Sequence, residues 1–414
     1  MGLELRGGTL IDGTGSDPTK GAAVSIRDGR FVEVGQASGE SASGRGGAAV
    51  EVDGLTVLPG LIDAHTHLGI VDMSESDRTP PAVIAAQIFA NCDLALDAGF
   101  TTVRDVGGID GGIAMAVALG LVRGPEILPS GPVLSQKGGH GDHSSPWLDH
   151  GGHGNGGHGH GVPGLAQLGI ICDGPVAVRR AARWVLQRGA TQIKVCISGG
   201  VASYTDKITD TQFSVEELRA AVEEAKARDT YVTAHAHHTR AILNGLEAGV
   251  ECFEHGTYLD EHTAAKMAAA GAILVPTLAV TRLFMENAEE WLIPAEFVPR
   301  MAGVEQAMAA SMKLARDAGV TIGSGSDILG PAQNRRGLEL VMKAEILGPM
   351  EALVSATATN AKVLRRPDIG SIEPGKQADL IAVEGDPMAD PEIFDDPSKV
   401  VLVIKNGEIV KDLR

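Results

Sequence analysis

The 13 histidines of the 414-residue chain are clustered: two at 65 and 67, six between 140 and 160, three between 235 and 238. Such grouping points to metal or proton chemistry. In Gly60-Leu61-Ile62-Asp63-Ala64-His65-Thr66-His67 the two imidazoles stand two apart on an expected strand. Alternation puts both on one face, and at the C-terminal end of a barrel strand that face is the mouth where active sites form. Taken alone, the pair equally describes two surface histidines at a strand end. Further residues of ligand type end other expected strands: His235 after Tyr231-Val232-Thr233-Ala234, His255 after Glu251-Cys252-Phe253-Glu254, and Asp327 after Val320 to Ser326. Unrelated core residues seldom all fall at that end, so a metal site is expected.

Lys194 lies within the apolar strand Ala190 to Ile197. An ammonium there is costly unless paired or neutralised. A buried ion pair is one solution. Uptake of CO₂ to give a carbamate, whose two oxygens bridge two cations, is the other. Six ligand-type residues exceed the roughly four that one zinc takes. They suit two cations about 3.5 to 4 Å apart.

Around this set, His140 follows the third expected strand, where it is a candidate donor to a substrate carbonyl or carboxylate, a loop histidine without function being the other reading. Tyr231 and His237 share the strand face of His235, so both are candidate substrate contacts, with core packing the other reading of Tyr231. Arg104 is expected to pair with Asp105 or a neighbouring strand. The run His150 to Gly161, with glycine at every second or third position, lacks the stiffness that selects one coordination geometry. It reads as a lid over the mouth.

The elements that must carry these residues are strand followed by helix, repeated. Strand starts near 57, 100, 126, 191, 231, 251, 272 and 320, with helices such as Ser214 to Arg228 and Glu261 to Ala270 between them, give eight units. That number argues for a closed (β/α)8 barrel, fold class α/β. No Gly-x-Gly-x-x-Gly opens an early helix, which leaves an open doubly wound sheet without its usual signature. The ends differ: Asp28-Gly29 and Asn406-Gly407 sit between short apolar runs, as hairpin turns do. Strands at both termini predict one small β-sandwich of residues 1–58 plus 370–414 around a barrel of 59–369. Residues 36–49 read as a loop, and 135–175 and 277–300 as long connections. With 14 aromatic residues in the chain, the core is expected to be aliphatic.

Lys and Arg total 35 against 53 Asp and Glu, a net charge of −18, which argues against nucleic acid or an anionic membrane as partner. The four cysteines are scattered, as free thiols in a reducing compartment are. No apolar run approaches the roughly 20 residues of a membrane span, and no signal peptide is visible. A cytoplasmic protein is expected.

The set His65-x-His67, Lys194, His235, His255 and Asp327, with Leu58-Pro59-Gly60-Leu61-Ile62-Asp63 before it and Gly370-Ser371-Ile372-Glu373-Pro374-Gly375-Lys376-Gln377-Ala378-Asp379-Leu380 near the end, resembles the amidohydrolase superfamily. Thr101-Thr102-Val103-Arg104-Asp105, Lys137 to Asp142, Ser198 to Ser203 and Tyr231 to His237 are similar to its binuclear branch of Xaa-Pro dipeptidases and metallo-carboxypeptidases. The resemblance implies a TIM barrel with a β-sandwich from both termini and two divalent cations, zinc first, with manganese or cobalt also compatible. It implies His65, His67, carboxylated Lys194 and Asp327 on one cation and Lys194, His235 and His255 on the other, with Asp327 as proton carrier and His140 as a catalytic donor. The implied reaction is hydrolysis of an amide-type C–N bond in a small molecule, a dipeptide or N-acyl amino acid, by a homo-oligomer. The same branch holds enzymes for non-peptide amides, carbamates and ureas. Imidazolonepropionase is a neighbour that carries a Glu where this chain has His238. A non-catalytic metal-binding scaffold is the reading of another class.

Overall fold

The computed structural model describes residues 2–36, 47–71, 79–143, 164–203, 205–291, 293, 295–330 and 332–414. Thr19–Arg27 and Arg30–Gln36 form an antiparallel hairpin. Its turn residues Asp28 and Gly29 have φ of 51° and 75°, the positive values that a two-residue hairpin turn requires. Asn406 and Gly407, at 50° and 78°, do the same between Val400–Lys405 and Glu408–Asp412. These four strands share one eight-stranded sheet with Gly2–Leu10, Gly47–Glu51, Leu55–Pro59 and Leu380–Glu384. Both ends of the chain therefore meet in one sheet, where Leu55–Pro59 and Leu380–Glu384 pair antiparallel. Leu5, Val24, Phe31, Val57, Leu380 and Leu402 bury together on it.

Between the ends, the described strands pair parallel. One sheet holds Leu61–Thr66, Phe100–Asp105 and Glu126–Pro129. The other runs in the order Gly169–Ile171, Val133–Ser135, Ile193–Cys196, Val232–His238, Cys252–Tyr258, Ile273–Val275, Thr321–Ile322. Backbone hydrogen bonds link the two sheets on both sides: Ala64 N donates to Ser324 O at 2.9 Å, and Thr191 N to Pro129 O at 2.8 Å. Helices connect most of the successive described strands, as crossovers between parallel strands do. Val215–Lys226 shows why they form: Ser214 and Glu217 make a reciprocal capping box, while Leu218, Ala221, Val222 and Ala225 put a buried stripe on one side, at helical spacing.

Three expectations need correction. The strand expected near 57 is two strands: Leu55–Pro59 joins the terminal sheet and Leu61–Thr66 the parallel one. Gly60 makes the hand-over, donating to Asp379 O, and a Cβ there would overlap the Thr101 side chain. The 277–300 connection contains the helices Leu278–Glu286 and Val298–Met301. Leu278 to Thr281, Leu283 and Phe284 are all buried, so the first of these helices packs most of its residues into the core. The connection expected from 135 to 175 includes the strand Gly169–Ile171, and Val133–Ser135 precedes it. Three residues are too few for alternation to show. The run His150 to Gly161 lies outside the described residues.

Candidate metal centre

Asp327 is the meeting point of the first donor group. One carboxylate oxygen, Oδ1, lies 3.3 Å from Nε2 of His65 and 3.3 Å from Nε2 of His67. The outer nitrogens of both rings are anchored: His65 Nδ1 on Glu254 Oε2 at 2.7 Å and His67 Nδ1 on Gly107 O at 2.8 Å. Burial raises the Asp327 carboxyl, but the adjacent His65 and His67 outweigh it and hold the group well below the ordinary carboxylate range.

The second group is His235, His237 and His255, whose facing nitrogens lie within 4.8 Å of one another. His235 Nδ1 and His255 Nε2 are 2.9 Å apart. Again each ring is held from behind: His235 Nε2 by Gly199 O at 3.2 Å, His255 Nδ1 by Thr277 Oγ1 at 2.8 Å, His237 Nδ1 by Thr257 Oγ1 at 2.7 Å. Burial first, then the crowding of neighbouring imidazoles, pushes His235 and His255 well below the usual histidine range and His237 down to about 3. All three are therefore neutral donors at pH 7, the form that binds cations.

Strand alternation alone does not explain this geometry. Glu254 and His255 are consecutive, yet His65 touches Glu254 through its ring nitrogen and packs 5.1 Å from the His255 ring. The backbone resolves the conflict, because His255 has φ of 69° and Asp327 φ of 54°. Left-handed conformations at non-glycine residues cost energy and collect at functional sites.

Lys194 is buried, its amine has no hydrogen-bond partner among the described residues, and burial lowers its pKa. Its amine lies within electrostatic reach of both donor groups, of Asp327 on one side and of His235, His237 and His255 on the other. An orphaned buried amine within reach of both donor groups fits a centre for two divalent cations.

His140 stacks on His235, with ring centroids 4.2 Å apart and planes 18° apart. Its Nδ1 is buried without a partner among the described residues, and Gly200 leaves the room its ring occupies. Tyr231 is not brought to the centre. Its hydroxyl accepts from Arg104 Nη1 at 3.2 Å, and it packs with Ile62, Leu128, Val275 and Leu364. Arg104 reaches across to Glu254, Nη2 to Oε1 2.6 Å. Glu254 itself was not among the residues expected at the site. An acid preceding a histidine on a buried strand was the only signal it gave.

A family model described as "Amidohydrolase family" matches residues 56–410. Ochratoxinase of Aspergillus niger is 33% identical over 98% of this chain and 85% of its own length. A prolidase structure complexed with N-methylphosphonate-L-proline superposes with a TM-score of 0.92 at 36% identity, covering all of both chains. An Xaa-Pro dipeptidase structure with bound methionine gives 0.86 at 28% identity, over 99% of this chain and all of the other. Among the described residues no helix is long and apolar enough to cross a membrane. With its family model spanning most of the chain and its donor residues gathered at one centre, the protein belongs to the amidohydrolase family and is a hydrolase acting on C–N bonds.

Proposed function

We propose that the two parallel sheets close into one (β/α)8 barrel of residues 59–369, flanked by a β-sandwich of 1–58 plus 370–414. On this reading the barrel carries a two-cation hydrolase that cleaves a dipeptide or N-acyl amino acid. The observation that carries the two-cation part is the buried, unpartnered Lys194 amine beside two groups of candidate donors. Addition of CO₂ to that amine, with loss of a proton, gives an anionic donor with two oxygens. His65, His67, Asp327 and carboxylated Lys194 would hold one cation; Lys194, His235 and His255 the other. When bound, such cations supply Lewis acidity toward a carbonyl and lower the pKa of water.

The chain's own groups do the rest. Asp327 Oδ1, beside His65 and His67, takes a proton from the attacking water and passes it to the leaving nitrogen. His140 and His237 flank His235 and donate to the substrate's carbonyl oxygen or carboxylate. The likeness to a prolidase complexed with a proline phosphonate supports a substrate whose leaving group is an amino acid. The likeness to ochratoxinase favours a second reading, an amide bond in a compound that is not a dipeptide.

The test is to strip the protein with a chelator, return Zn²⁺ stepwise, and follow amino acid release from dipeptides. Activity rising to a plateau at two equivalents supports the proposal. A plateau at one equivalent overturns the two-cation reading.

A further inference from the structure

Each candidate donor imidazole has an outer nitrogen held by the protein, but the holders are not equivalent. His67, His235 and His255 rest on neutral acceptors, two backbone carbonyls and a threonine hydroxyl. His65 alone rests on a carboxylate, Glu254 Oε2 at 2.7 Å. Glu254 is fully buried and paired with Arg104, itself fully buried. Arg104 also donates through Nε to Ala64 O, the residue before His65. Thr233 Oγ1 donates to the same Glu254 oxygen as Arg104. The carboxylate is thus fixed from two sides and its other oxygen is aimed at the His65 ring.

We propose that Glu254, held by Arg104, is a positioning residue that makes His65 an Nε2 donor and sets the affinity of the His65, His67 and Asp327 cation apart from that of the second. A carboxylate only accepts, so the proton of a neutral His65 is fixed on Nδ1 and the lone pair of Nε2 faces Asp327. A charged acceptor behind a ligand imidazole also makes that ring the more basic donor. The neutral acceptors behind His235 and His255 do so less. The inference rests on the two-cation reading, and predicts that the two cations bind unequally for a reason located outside the donor set.

The experiment titrates chelator-stripped wild type and E254Q with Zn²⁺ against a competing chelator, with circular dichroism as the check of fold. Wild type is expected to bind two equivalents. E254Q is expected to bind one of them about 10- to 100-fold more weakly and the other unchanged, with E254D restoring part of the loss. Two wild-type affinities in E254Q, or equal weakening of both equivalents, overturn the proposal and leave the two-cation reading standing. Wild type that binds fewer than two equivalents overturns both. Because E254Q leaves Arg104 buried beside a neutral partner and can fail to fold, long-range ¹H–¹⁵N spectra of zinc-loaded wild type give the second readout. The His65 proton is expected on Nδ1, and a proton on Nε2 overturns the proposal.

Discussion

The backbone N–H of Asp327 donates to the carbonyl oxygen of His65 at 2.8 Å, so the loop that presents the candidate proton carrier is bonded to the strand that presents a candidate donor. Asp63 reinforces the link. Its Oδ1 accepts from the N–H groups of both His65 and Ser326, at 3.1 and 3.0 Å, and its Oδ2 from Arg336 Nη1 at 2.8 Å. The residues on either side of the seam are therefore held in one register.

Asp327→Asn keeps the shape and removes the proton acceptor. It is expected to lower kcat by about 10²- to 10⁴-fold while both cations remain measurable by atomic emission. Near-normal kcat with metal in place would remove Asp327 from the proton path.

Arg336→Met leaves Asp63 charged in a site where both side chains are almost wholly buried. Breaking such a pair costs about 3 to 5 kcal/mol, so chemical denaturation should show a loss of that size. The double variant with Asp63→Asn should lose less, because no charge is stranded. Equal losses would show that the pair contributes only through packing.

Much of this arrangement is legible in the sequence because it depends on local rules. Asp28-Gly29 and Asn406-Gly407 announce hairpins since few other residues take positive φ there, and the period of strand followed by helix marks the parallel sheets. His65, His67, His235, His255 and Asp327 stand where the structure gathers them. Glu254 was not legible, because its role depends on Arg104 and His65, on different strands. The left-handed backbone at His255 and Asp327 was also hidden. No glycine marks either position, and simple alternation would have turned His255 away from Glu254. Tyr231 shares a strand face with His235 but lies toward the strand's start, so a shared face did not mean a shared site.

Gly200→Ala would drive a methyl group into the His140 ring and move it off His235. A displacement of this kind near reacting groups is expected to cost about 10²-fold in kcat/KM. Unchanged kinetics with a folded protein would mean His140 does not meet substrate.

All four cysteines are buried. Burial pushes the thiols of Cys92, Cys172 and Cys196 up to about 12, and that of Cys252 to about 11. The folded values lie above the unfolded one, so between them the native state binds more protons and stability falls as pH rises. The contribution is fully present below about pH 9 and is lost on the way to 11 or 12, at about 1.4 kcal/mol per pH unit for each thiol. Thermal unfolding followed from pH 8 to 11 should show a steep fall in Tm that a variant with alanine at all four positions flattens. Parallel curves would mean the thiols do not control alkaline stability.

The most direct test of the proposed reaction is a screen of dipeptides and N-acyl amino acids against the zinc-loaded protein, read as free amino acid released, with Asp327→Asn as control. Turnover of at least one class, lost in the control, is expected. No release from any member, with carbamates or ureas cleaved instead, would contradict it.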